Sequence, residues 1–157
     1  MRQLWPCLAF LALSLTPMAA QSSHGYIFFA PGGMSAAGQT NSTVQFGGGG
    51  ELLLAKGLGL GAELGLLSPT GNLGGTVGVA SGNAYYHLGS KRKIDPYITV
   101  GYSRFFRGNT ANSPNFGVGV NLWLWRSLGM KVEFRDHLAS PGGVTAHWWG
   151  GRIGINF

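Results

Sequence analysis

Asp136, His137 and Ser140 come nearest, by type and spacing, to hydrolytic chemistry in this chain. A serine nucleophile needs an adjacent base and a third group to orient that base. Here the three stand where Pro141, Gly142 and Gly143 mark the start of a loop, which suits a polar strand end better than a catalytic dyad. His24, His87, His137 and His147 are candidate metal ligands, but none stands in a close ligand pair of the kind zinc sites use. Gly57-Leu58-Gly59-Leu60-Gly61-Ala62 fits a loose dinucleotide-binding pattern, which requires a following helix. It runs instead into alternating aliphatic residues. Asn41-Ser42-Thr43 is a glycosylation sequon by pattern and reads more simply as a polar loop entering a strand. No catalytic, cofactor-binding or metal site is expected, and no cofactor.

The remaining chemistry is ionic. Glu51, Glu63, Lys131, Glu133, Arg135 and Arg152 lie inside otherwise apolar segments. What positions them follows from composition. Gly makes up 28 of 157 residues and charged residues only 10%, against usual values of ~7% and ~25%. The 45% apolar content excludes a disordered chain. The glycines have no three-residue period, which excludes collagen. Each would cost a helix about 1 kcal/mol relative to Ala, which disfavours a helical bundle. An all-β chain remains.

Met1 to Ala20 has the three parts of a secretory leader: Arg2, an apolar core from Leu8 to Leu15, and Met18-Ala19-Ala20 as a small-residue cleavage site. The core is shorter than the ~20 residues of a spanning helix. Cleavage after Ala20 is expected, with Cys7 leaving in the leader and residues 21–157 forming one domain. The net charge of +6 is scattered, with Lys91-Arg92-Lys93 the one basic run, so nucleic acid is not an expected partner.

Eight glycine-laced segments can be drawn: about Gly25–Ala30, Thr43–Leu54, Leu58–Leu67, Gly75–Leu88, Pro96–Phe106, Asn115–Trp125, Ser127–His137 and Thr145–Phe157. Short links at Ala55–Gly57, Gly89–Asp95 and Arg126 alternate with longer ones at Pro31–Ser42, Ser68–Gly74, Arg107–Pro114 and Leu138–Val144. Short turns on one side and longer loops on the other characterise outer-membrane barrels.

Successive strand residues face opposite ways. Leu58, Leu60, Ala62, Leu64 and Leu66 alternate with Gly59, Gly61, Glu63 and Gly65. Leu128, Met130, Val132 and Phe134 alternate with Gly129, Lys131, Glu133 and Arg135, and Ile153, Ile155 and Phe157 with Arg152, Gly154 and Asn156. A soluble barrel binding an apolar ligand would turn the aliphatic face inward. Its outside would then be glycine-rich, far short of the ~25–35% charge a soluble surface carries. The aliphatic face therefore meets lipid and the six ions form a luminal network. Tyr85, Tyr86, Tyr97, Trp125 and Phe157 are expected at one rim, and Phe105, Phe106, Phe116, Trp148 and Trp149 at the other, as interfacial girdles. Trp123 and Trp148 are also expected to fill space left by inward glycines.

Asp95-Pro96-Tyr97-Ile98-Thr99-Val100-Gly101-Tyr102 resembles a strand opening of the small opacity/OmpX-like outer-membrane barrels. Phe116–Val120 with Ser127–Arg135 looks like that superfamily's penultimate hairpin, and Arg152–Phe157 its closing strand. The resemblance covers residues 95–157. It implies an eight-stranded antiparallel up-and-down transmembrane β-barrel in a Gram-negative outer membrane. It also implies that Phe157, Ile155 and Ile153 form the signal read by the outer-membrane assembly machinery. Lipid A deacylase barrels carry His and Ser two apart on one strand face, a pattern His137 and Ser140 do not follow.

The expected role is that of a small structural or surface-interaction barrel, monomeric, in contact with outer-membrane lipid, with no wide pore. The alternatives are a lipid-modifying enzyme, a narrow pore, or the soluble ligand-binding barrel.

Overall fold

The computed structural model describes residues 22–36, 38–89, 93–139 and 146–157. The expected leader and its cleavage site at Ala20 lie outside the described residues. Eight strands carry the fold: β1 (Ser22–Ala36), β2 (Gln39–Leu53), β3 (Leu58–Pro69), β4 (Val77–His87), β5 (Ile94–Arg107), β6 (Asn109–Trp123), β7 (Gly129–Ala139) and β8 (Ala146–Asn156). They close in chain order into one antiparallel barrel, β8 pairing with β1. No helix among the described residues is long and apolar enough to cross a membrane; the crossing elements are strands.

The stagger is read from the register. Ladder partners starting at His24 run through Glu51, Gly61, Asn83, Gly101, Asn115, His137 and Trp148. The path returns to β1 at Met34, ten residues along the strand from His24. Eight strands with that offset incline at about 40° to the axis, within the usual 35–45°. At this strand number the interior is just wide enough for side chains to fill.

Two connections differ from the sequence expectation. Pro31–Ser42 is not a loop: β1 and β2 stay paired up to Ala36 and Gln39, and the chain reverses around Gly38 at φ 78°. Arg107–Pro114 likewise continues the β5–β6 ladder, reversing at Gly108 with φ 70°. Both glycines supply the left-handed backbone that a tight reversal needs. The Ser, Asn and Pro content that reads as loop belongs to strands that continue past the apolar belt. Pro31 is tolerated because its missing N–H falls on the β8 side, where the β1–β8 ladder skips from Phe29 to Gly32.

The alternation sorts side chains as the sequence requires. Ile27, Leu60, Leu64, Val100, Val118, Val132 and Ile153 point outward and are exposed. Glu51, Glu63, Lys131, Glu133, Arg135 and Arg152 point inward, none more than 4% exposed. Hydrocarbon outside and ions inside is the inverse of a soluble barrel. The girdle expectation needs correction. Tyr86, Trp125 and Phe157 lie exposed at the short-turn rim, and Phe106, Phe116 and Trp149 toward the other. Tyr85, Tyr97 and Phe105 are luminal and buried, as is Tyr26, and Trp148 stacks on Phe105. Their parity is the cause: Tyr97 alternates with Ile98 and shares a face with Asp95 and Thr99.

Candidate functional site

Inward glycines make room for the luminal aromatics. A Cβ on Gly119 would lie 2.5 Å from the Tyr97 ring, and one on Gly61 would lie 3.0 Å from that of Tyr85. A side chain at either position would displace the ring. The rings therefore fold across the barrel floor and partition the ions into two layers.

The layer near the short-turn rim is built on Glu51. His87 Nε2 lies 2.5 Å from Glu51 Oε1, and His87 Nδ1 lies 2.7 Å from Asp95 Oδ2. The Gly89 amide donates to Asp95 Oδ1 at 3.2 Å, fixing that carboxylate where β4 ends. His24 Nε2 stands 3.7 Å from Glu51 Oε2 and its ring meets Trp123 edge-on. Lys131, on the ladder row of Asn121 and Asp95, joins this layer. Its Nζ is 3.9 Å from Glu51 Oε2 and lies 4.4, 4.5 and 5.0 Å from the ring centres of Tyr26, Tyr97 and Tyr85. Three ring faces hold a desolvated ammonium favourably, so the protein supplies its own occupant for this cage.

The central layer joins opposite walls. Glu63 on β3 accepts from Arg152 Nη1 of β8 at 2.7 Å, from Arg135 Nη1 of β7, and from Asn83 Nδ2 at 2.8 Å. Glu133 accepts from the Tyr97 hydroxyl at 2.7 Å. It also meets Arg135 Nε at 2.6 Å, an ion pair off hydrogen-bonding angle, and Arg152 Nη1 at 3.5 Å. Arg152 extends to Gln45 at 3.3 Å and its guanidinium lies over Phe28. Two arginines and two glutamates thus pair across the lumen, with Arg135 Nε and Nη2 and Glu133 Oε1 making no hydrogen bond among the described residues.

Above them Phe105 and Trp148 stack with ring centres 4.6 Å apart, and His137 packs edge-on against Phe105. A cavity of about 20 Å3 remains among Phe105, His137, Trp148 and Arg135, room for about one water.

The six ions singled out from sequence all reach the lumen, but as two groups: Glu51 with Lys131 below, the other four in the centre. Sequence reasoning missed Asp95, His87 and His24 as luminal partners. Parity carried the signal, since Asp95 alternates with Ile94 and Pro96, and His87 with Tyr86 and Leu88. Three of the four histidines are buried in the lumen; His147 alone is on the outer face, 3.0 Å from Asp136. Among the described residues no group of three His, Cys, Asp or Glu side chains is arranged to hold a metal ion. Asp136 and His137, adjacent on β7, face opposite sides of the wall: Asp136 pairs with His147, and His137 Nδ1 approaches the Trp148 carbonyl at 3.2 Å. They do not form an acid–base pair, and Ser140 lies outside the described residues.

An in-order closed barrel with an aliphatic belt and an ionic, aromatic filling defines a small transmembrane β-barrel of the bacterial outer membrane. The chain belongs to the outer membrane protein beta-barrel domain family, whose model matches residues 6–157. Neisserial surface protein A is similar at TM-score 0.69 and 9% identity, covering 85% of this chain and 95% of that one. The N-terminal barrel domain of Pseudomonas aeruginosa OprF is similar at TM-score 0.62 and 17% identity, over 87% and 98%. The attachment invasion locus protein Ail of Yersinia pestis is similar at TM-score 0.57 and 12% identity, over 86% and 97%. At these identities the likeness is one of fold. Among proteins of curated function, none matches the chain.

Proposed function

We propose that this protein is a monomeric, plugged outer-membrane barrel whose job is surface interaction through its two extended hairpins, not conduction or catalysis. The observation that carries this reading is the central cluster, in which Glu63 on one wall is bound by arginines from β7 and β8. The hairpins, Pro31–Val44 and Tyr102–Pro114, are stiff because they remain laddered to their tips. Ser35 and Thr40 share a side-chain hydrogen bond of 2.9 Å near the first tip. Polar side chains on a preordered ladder cost little further entropy on binding. The paired strand ends at Gly25 and Phe157 lie on the short-turn side, which we assign to the periplasm.

Orientation and role are tested together on whole cells. Thr40→Cys and Thr110→Cys should react with a membrane-impermeant maleimide, and Lys56→Cys should not. Purified protein in planar bilayers should show no stable conductance steps. Labelling of Lys56→Cys alone would reverse the orientation, and steady ohmic conductance would make the protein a narrow pore.

A further inference from the structure

The lipid-facing wall has a gap in its aliphatic cover. Gly25, Gly50, Ala62 and Gly82 are successive ladder partners on β1, β2, β3 and β4, all outward. In the next row toward the hairpin side, Gly48 and Ala80 flank Leu64. The result is an open groove of about 480 Å3 over Gly48, Ala62, Leu64, Ala80 and Gly82. It adjoins a second concavity of about 290 Å3 that runs from Gly50 to Gly25 and Phe157.

Barrel packing accounts for Gly25 and Gly48, whose Cβ atoms would fall 2.8 Å from the Phe157 ring and 3.0 Å from the Tyr26 carbonyl, but not for Gly50 or Gly82. Gly50 and Gly82 keep negative φ. A Cβ on Gly82 would meet no heavy atom within 4 Å, and one on Gly50 only the His24 carbonyl at 3.8 Å. The inward Gly49 differs, its Cβ falling 2.5 Å from the Ala62 carbonyl. A strand glycine without a packing reason sacrifices stability; Gly151 on β8 is equally open, and what sets Gly82 apart is that it lines the groove.

Arg104 stands at the groove's end. It is the direct ladder partner of Ala80 and faces outward between Tyr102 and Phe106. Among the described residues it is the one lysine or arginine on the outer face of a strand, and no ion pair among them includes it. Arginine facing lipid is costly at the membrane midplane and tolerated near the interface, where a phosphate can take the guanidinium in a bidentate contact.

We propose that Arg104 and this groove dock a phosphorylated glycolipid of the outer leaflet, lipid A. A phosphate pairs with the Arg104 guanidinium, and one acyl chain descends over Ala80, Gly82 and Ala62. Charge complementarity selects an anionic lipid, and the position of Arg104 three residues before the outer end of β5 selects the leaflet. The leaflet assignment rests on the orientation given above, which the cysteine labelling tests separately.

The test uses protein extracted from outer membranes in mild detergent, with heat-modifiable mobility confirming the fold of each variant. Bound lipid A is counted by native mass spectrometry. Wild type should retain about one molecule per barrel. Arg104→Gln and Gly82→Leu should each lower retention by about tenfold, the scale of one lost charge-assisted contact, while Val118→Leu on the far wall should not. In phosphatidylcholine vesicles, added lipid A should raise the urea midpoint of wild type, and dephosphorylated lipid A or phosphatidylglycerol should not. Unchanged retention in both groove variants would overturn the proposal. So would equal effects of phosphatidylglycerol, which would mean unselective boundary lipid, or dimers that Gly82→Leu abolishes, which would mean a second copy in the groove.

Discussion

Arg152 Nη1 donates to Glu63 Oε1 at 2.7 Å across the lumen, tying β8 to β3, two strands that share no ladder. The interior is therefore braced by side chains as well as closed by its backbone. Arg152 also faces Glu133 across the β7–β8 ladder, but its nearer carboxylate is Glu63. The brace thus centres on Glu63.

Glu63→Ala should be the most destabilising change among the luminal carboxylates, at roughly 3–5 kcal/mol, because it removes the carboxylate to which both buried arginines donate and leaves Glu133 as their one ion partner. Glu133→Ala should cost less, since Glu63 remains for both. The double change Glu63→Leu with Arg152→Met should recover much of the loss, leaving the Glu133–Arg135 pair. Urea unfolding in lipid vesicles measures all three; equal effects of Glu63→Ala and Glu133→Ala would contradict the centring.

Val132 lies on the outer face between Met130 and Phe134. Val132→Lys should cost about 2–4 kcal/mol near mid-membrane, with no luminal partner able to rescue it. The same unfolding assay decides the matter, and a harmless substitution would mean that this wall does not face hydrocarbon.

Two strand glycines on opposite faces should respond with opposite signs. Gly119→Ala places a Cβ against the Tyr97 ring and the Val132 carbonyl, and should destabilise by about 1–3 kcal/mol, the usual scale of overpacking. Gly82→Ala meets nothing and should be neutral or stabilise by up to about 1 kcal/mol. Paired unfolding curves would expose any failure of this ordering.

Deleting Phe157 should lower folded outer-membrane levels severely. Its N–H and C=O both bond Gly25, at 2.9 and 2.8 Å, at the seam between the first and last strands. The matched control is deletion of Gly71 in the β3–β4 connection, not a residue of Pro31–Ser42, where loss would shift a ladder by one and turn side chains to the wrong face. Immunoblots of fractionated membranes report both, and comparable losses would remove the seam from the explanation. We attribute the severity also to Ile153, Ile155 and Phe157 acting as the assembly signal.

Legibility in the sequence followed hydrophobic contrast. Where a strand crosses lipid, the two faces meet opposite media, and Leu58–Leu66 or Ile153–Phe157 spell that out residue by residue. Beyond the belt both faces meet water, so residues 31–36 and 39–42 carry no alternation, and their Pro, Gly, Ser and Asn mimic a loop. The luminal aromatics elude residue type for a related reason. Tyr is at home both at a lipid interface and in a polar lumen, so residue type misplaces Tyr85 and Tyr97 where parity does not. The division of ions into two layers depends on which rings separate them and on the ten-residue stagger, and neither is a local property of the chain.

The doubly bonded Gly25–Phe157 seam makes the order in which the chain visits its strands a convention of synthesis instead of a requirement of the architecture. A gene opened at Gly108 and spliced through a short bridge at the seam would encode the same cylinder with new ends on the hairpin side. Such a permutant would carry every wall contact described above but would present the terminal aromatic as an interior residue. It would separate what the barrel needs in order to be stable from what a cell needs in order to insert it.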